Sequence, residues 1–168
     1  MVGIPGKTLE GLARDVALFG SLDLDMIGVG PYIAHPRTPL GEIAASAVPC
    51  PAGMATADEE MVYKTIALTR LVCPEANIPS TTALATINRD AGREHGLERG
   101  ANVVMPNLTP ERYRVRYEIY PGKACLHETA EACAGCLRSR IEGLGRRVGS
   151  GPGHARDHRA AMARAREN

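Results

Sequence analysis

No run of apolar residues in this 168-residue chain approaches the ~18 that a bilayer-spanning helix requires. No charged N-terminal segment leads into a long apolar stretch either, so the sequence predicts neither a membrane span nor a signal peptide. An excess of charge of one sign is also missing. Twenty Lys and Arg stand against 19 Asp and Glu, a net charge of +1, which argues against a general attraction to nucleic acid or to an anionic membrane. A secreted disulfide framework is equally poorly supported, because the cysteines number five and three of them crowd into residues 125–136. The expectation is a cytoplasmic protein with reduced thiols able to hold a metal. The phosphate-binding loop of nucleoside triphosphatases is absent as well. Gly6-Lys7-Thr8 sits at a strand-to-helix turn, but the motif needs a glycine where Met1 stands, and Pro5 removes an N–H that would face the phosphate.

What is present is 44% apolar content, enough for one hydrophobic core, and an alternation of strand and helix signals. Met1 to Ile4 reads as a strand. Leu9, Leu12, Ala13, Val16 and Phe19 follow helical spacing behind Thr8 as N-cap, predicting a helix over 9–20. Met26 to Ile33 suits a buried strand, and 34–55, rich in Pro, Gly and Ala, reads as a long loop. Thr56 with Glu59 predicts a capping box for a second helix ended by Pro74. Asn77 to Leu84 and Ala101 to Met105 are the third and fourth strand candidates, separated by a helix over 92–99 that Gly96 weakens. Thr109-Pro110 opens a short helix carrying Tyr113 and Tyr117, and a last helix spans 129–144. Beyond Gly149 the arginine- and alanine-rich tail reads as a solvated, frayed helix. Four strand–helix units make half of an eight-stranded barrel or a small doubly wound sheet, and pattern does not choose between them.

The strongest chemical signal is Cys125, Cys133 and Cys136, spaced Cys-x7-Cys-x2-Cys. The last two share a helix face and the first arrives from the preceding loop, so three soft thiolate ligands can converge, as iron–sulfur clusters or zinc require. His127 is a candidate fourth ligand for zinc. The alternative is three small buried hydrophobes. Cys50 and Cys73 lack such company, and Cys73 at a helix end reads as packing. His35, in His-Pro-Arg-Thr-Pro, is a candidate ligand contact. Thr81 and Thr82 either bind a polar substrate or cap the following turn, Met105-Pro106-Asn107 closes the fourth strand, and the tyrosines also suit amphipathic packing.

Taken together, the stretches MVGIPGKT, DMIGVGPYIAHPRTPL, TIALTRLVCPEANIPSTTAL, GANVVMPNLTP and YEIYPGKAC strongly resemble the radical S-adenosylmethionine (SAM) enzymes of the iron-iron hydrogenase maturase type. The resemblance runs over roughly residues 1 to 148, and more loosely the same span is similar to the C-terminal half of biotin synthase and to a domain of thiamine-synthesis enzymes. It implies an α/β fold: the C-terminal half, strands five to eight, of a (β/α)8 TIM barrel over residues 1–122, an accessory iron–sulfur extension at 123–148, and a tail at 149–168. The tail and the loop from Asn88 to Gly92 depart from the family pattern.

The implied activity is assembly of the diiron subcluster of FeFe hydrogenase (the H-cluster) from a small iron-containing substrate, with other maturation proteins as partners. Pro31 and Ile33 would lie near SAM. Thr81, Thr82, Met105, Tyr117 and Tyr120 would line the substrate cavity, and Cys125, Cys133 and Cys136 would hold an accessory 2Fe-2S or 4Fe-4S cluster. The SAM-cleaving 4Fe-4S cluster of the family sits on a Cys-x3-Cys-x2-Cys loop, which this sequence does not contain. The resemblance therefore implies a chain inactive by itself, joined to an N-terminal half barrel or to a second copy. Two alternatives stand beside it: a radical SAM fragment like methylornithine synthase, and a non-catalytic metal-binding half barrel.

Overall fold

The computed structural model of the chain describes residues 1–45, 51–117, 119–127 and 129–155. Four extended segments stand side by side in chain order and run parallel: Val2 bridges Pro31, Met26 bridges Asn77, and Pro79 bridges Val103. The predicted strands thus reduce to isolated bridges, and the sequence explains why. Prolines occupy two of the pairing positions, Pro31 and Pro79, and lack the N–H that would extend a ladder. The bonds that remain straddle them. Val2 N donates to Gly30 O at 3.0 Å and Tyr32 N to Val2 O at 2.8 Å, while Ser80 N donates to Val103 O and Asn102 N to Ile78 O at 2.8 and 2.9 Å. No closed barrel is present among the described residues.

Helices fill the connections. α1 spans Leu9–Ser21, with Thr8 Oγ1 accepting from Gly11 N at 2.9 Å as the sequence predicts. α2, Pro39–Ala45, lies inside the stretch expected to be loop, its first turn stapled by Thr38, whose Oγ1 donates to His35 O and accepts from Gly41 N. α3 spans Glu59–Val72, and its N-cap is Asp58 rather than Thr56: the Asp58 carboxylate accepts from Met61 N at 2.8 Å. A carboxylate two residues closer to the helix, favoured by the partial positive charge at its N-terminus, wins the position. α4, Thr82–Ile87, takes over the end of the third strand candidate, because Thr81 caps it by accepting from Leu84 N. α5 is Gly92–Glu98. α6, Glu111–Arg114, runs into a 3-10 turn over Val115–Tyr117, and α7, Ala130–Gly143, starts at the expected Thr129 cap.

One apolar cluster joins the segments to the helices: Val2, Ile27, Val29, Ile78 and Ala101 pack with Leu12 of α1, Val62 and Ile66 of α3 and Leu97 of α5. α3 touches both α1 and α5. Side chains of an extended segment alternate in direction, and in the second segment Ile27, Val29 and Pro31 are buried whereas Met26 is 49% exposed and nothing lies within 4 Å of a Cβ placed on Gly28. The cluster covers one side of the segments and leaves the other open. Gly96, which weakens α5 by propensity, is there for contact: a Cβ would collide with Ser80 Oγ on the third segment.

The base is tied by Arg70 in the last turn of α3. Its guanidinium donates to Gly100 O, Pro74 O and Ala76 O, each at 2.8 Å, and to Asn102 Oδ1 at 3.0 Å. Asn102 Nδ2 in turn donates to Asn77 Oδ1, and Asn77 Nδ2 to Gly153 O at 2.8 Å. Residues 149–155 carry no helix, which corrects the helical part of the expectation for the tail, while 149–154 are exposed as expected of a solvated tail and the buried Ala155 and Gly153 O touch this base. Residues 156–168 lie outside the described residues.

Candidate metal centre

α7 and the loop before it carry the three cysteines to one place. Cys125, Cys133 and Cys136 line a single cavity of about 250 Å³ together with Ala85, Arg89, Arg93, Ala124, Leu137 and Arg140. Cys133 and Leu137, one helical turn apart, face inward and are buried, while Cys136 stands at the exposed rim. Cys125 has φ +62, the left-handed region that costs a non-glycine residue about 1–2 kcal/mol. The strain is held in place by bonds to its carbonyl, which accepts from Asn107 Nδ2 at 3.0 Å and from Arg114 Nη1 at 3.2 Å. Arg114, only 2% exposed, also donates to Asn107 O and Thr109 O and so fixes the whole turn. These two residues are structural supports that the sequence pattern does not reveal.

The sulfurs are met by donors. Asn107 N donates to Cys133 Sγ at 3.4 Å and Arg93 Nη2 to Cys125 Sγ at 3.8 Å. Arg140 is held more firmly in its charged form, first by its hydrogen bond with the Cys136 side chain and then by Glu94, whose Oε1 accepts from Arg140 Nη1 at 2.6 Å. No disulfide links Cys73, Cys125, Cys133 or Cys136 among the described residues. Among the described residues, however, no three His, Cys, Asp or Glu side chains converge closely enough to hold one metal ion. A single zinc needs its thiolates about 2.3 Å away on every side. Three thiols spread around a cavity with amide and guanidinium donors instead suit the chemistry of a larger, anionic iron–sulfur cluster. His127 is exposed on the loop and does not line the cavity.

The other predicted site residues fall elsewhere. Because the segments are parallel, their C-terminal ends lie at one edge, which gathers Pro31 and Ile33, Thr81 and Thr82, and Met105 there. Pro31 is buried in its bridge with Val2, Ile33 is half-buried and Met105 exposed. Thr81 does cap the next turn, and Thr82 Oγ1 accepts from Arg93 Nη2 at 3.4 Å, linking this edge to the cysteine cavity. Tyr117 is exposed, with Lys123 Nζ 4.8 Å above its ring. Tyr120 is half-buried, and burial raises its pKa against the lowering effect of a hydrogen bond with Thr86. His35 is tied into the turn before α2, its Nδ1 accepting from Arg37 N. Cys73 is half-buried against the core, as expected of packing, and Cys50 lies outside the described residues.

Over 149 residues, 89% of its length, the chain is 45% identical to the [FeFe] hydrogenase maturase subunit HydE of Thermotoga maritima. This chain is a homologue of HydE. It spans 39% of that maturase's length, within its C-terminal part. No protein-family model matches the chain. No helix among the described residues of this HydE homologue is long and apolar enough to cross a membrane.

Proposed function

We propose that this chain works as the C-terminal portion of a radical SAM maturase that assembles the diiron subcluster of FeFe hydrogenase in the cytoplasm, from a small iron-containing substrate and alongside other maturation proteins. The observation that carries this reading is the 45% identity to HydE over 149 residues. The geometry supports it as well. Parallel segments in unbroken chain order, covered on one side by α1, α3 and α5, suit consecutive units of a (β/α)8 barrel, whereas a doubly wound sheet brings helices to both faces. The open face is then the inner wall of residues 1–122, to be completed by an N-terminal half barrel or by a second copy. Pro31 and Ile33 at the shared edge border the SAM site, and Thr81, Thr82, Met105, Tyr117 and Tyr120 border the substrate cavity.

Cys125, Cys133 and Cys136, in the extension at 123–148, are the ligands of an accessory 2Fe-2S or 4Fe-4S cluster. When bound, the cluster supplies one-electron chemistry. The chain's own part is to hold three thiolates around the cavity, to donate N–H groups to their sulfurs from Asn107 and Arg93, and to keep the Cys125 turn rigid through Arg114. SAM itself and the SAM-cleaving 4Fe-4S cluster belong to the completed protein. The test is anaerobic reconstitution with iron and sulfide. The wild-type chain is expected to take up iron and inorganic sulfide that Cys133→Ala does not retain, and to form no 5'-deoxyadenosine from SAM by itself. Equal iron in both proteins, or stoichiometric zinc without iron, refutes the metal assignment. Appreciable 5'-deoxyadenosine from the chain alone refutes its place as a partial enzyme.

A further inference from the structure

Arg93 is a buried cation that forms no ion pair among the described residues. It is 5% exposed and lines the cysteine cavity. Nη2 is engaged with Cys125 Sγ and Thr82 Oγ1, whereas Nη1 is buried and has no hydrogen-bond partner among the described residues. A buried guanidinium left in this state is costly, because burial strips its water and nothing returns the lost interaction. Its position is nevertheless anchored: the backbone carbonyl of Arg93 accepts from Ser80 Oγ at 2.9 Å, and α5 is locked on the third segment at Gly96. Two more guanidiniums share the cavity. Arg89 is held by Gly122 O at 2.9 Å, and Arg140 by Asp90 O and Glu94. Glu94 offsets one of the three positive charges and does not line the cavity.

We propose that Arg93 is a positioning residue for the iron–sulfur centre, its Nη1–H reserved for a cluster sulfur or for the small anion that completes the coordination left open by three cysteines, and its charge favouring the reduced centre. The inference rests on the cluster reading of Cys125, Cys133 and Cys136. Three protein thiolates leave one iron position to a further ligand, and net charge together with hydrogen bonds to sulfur sets the potential of such centres. Gain of one electron adds a negative charge to the cavity, and the guanidinium that donates to Cys125 Sγ from within the cavity lining stabilises that state most. Arg89 and Arg140, tied to groups at the rim, contribute less.

The test is a redox titration of the reconstituted full chain with dithionite, followed by its visible and electron paramagnetic resonance spectra, after iron and sulfide have been counted. With the cluster retained, Arg93→Gln is expected to shift the oxidised-to-reduced ratio at the wild-type midpoint by tenfold or more toward oxidised, equivalent to a fall of about 59 mV for a one-electron couple. Arg140→Gln is expected to shift it the same way by less. An unchanged or raised midpoint at full iron content overturns the proposal. Should Arg93→Gln lose the cluster while circular dichroism stays native, Arg93→Lys decides: retention with Lys supports the role of the charge, and loss in both overturns it. A wild-type chain that takes up no iron defeats the cluster reading itself, and this inference with it.

Discussion

Replacing Arg70 by Met retains an apolar stem of similar length and removes the guanidinium that ties the base together. In the structure that group donates to the carbonyls of Gly100, Cys73, Pro74 and Ala76 and to Asn102 Oδ1, at 2.8 to 3.3 Å. Hydrogen bonds from a charged donor contribute about 1.5–3 kcal/mol each when buried. Arg70 is half-buried and the contacts at Pro74 and Asn102 are exposed, so water takes over part of the loss. Buried Ala76 and half-buried Gly100 keep the larger share, and the expected destabilisation is about 3–4 kcal/mol. With a urea slope of about 2 kcal/mol per molar, the unfolding midpoint falls by about 1.5–2 M. Urea titration followed by circular dichroism measures this directly. A loss below about 1 kcal/mol refutes the argument, since it means that hydration satisfies those carbonyls as well as the guanidinium does.

Asp58→Ala is expected to cost about 1 kcal/mol by removing the α3 cap. The bonds from the Thr56 side chain and then from Met61 N lower the pKa of Asp58 in the folded state, so the cap contributes fully above the unfolded carboxylate value of about 3.9 and is lost as the pH falls through the depressed one. A difference between wild type and Asp58→Ala that persists unchanged at the acid end refutes it. Gly96→Ala is expected to destabilise by about 1–3 kcal/mol despite the better helix propensity, because its Cβ meets Ser80 Oγ. Greater stability in thermal melts refutes the close packing. The open face around Met26 and Gly28 is expected to drive association. Burying even ~500 Å² there is worth about 12 kcal/mol before association costs, and a monomer by light scattering, with no concentration dependence, refutes it.

Some helix starts are legible from a hydroxyl cap that acts three residues on. Thr8 and Thr129 are such cases, and both cap as the sequence predicts. The cap of α3 is not legible in this way, because two acceptors compete in Thr56-Ala57-Asp58 and local pattern does not rank a hydroxyl against a nearer carboxylate. α4 was hidden because the apolar run Asn77 to Leu84 has the composition of a strand, and Thr81, a good strand residue, turns the chain into a helix by capping. The parallel order was legible from alternation, whereas its shortness follows from Pro31 and Pro79, whose missing N–H groups become decisive once pairing positions are known. The docking of the tail on Asn77 is a contact across 76 residues, with no local trace.

The cysteine trio and its arginines mark where sequence reading reaches and stops. Thiols at Cys-x7-Cys-x2-Cys announce themselves because ligand spacing is local, set by one helix and the loop before it. Arg89 and Arg93 precede Cys125 by more than thirty residues and Arg140 follows it by fifteen, so each reads in sequence as an ordinary solvated charge. They meet only because α5 packs on the third segment at Gly96 and because Arg140 of α7 reaches across to Glu94 and Asp90. The same packing that buries Arg93 removes the water that would have made it unremarkable. A cavity lined by thiols and guanidiniums is therefore a product of the tertiary fold, and the anionic occupant proposed for it rests on desolvation, which no motif encodes.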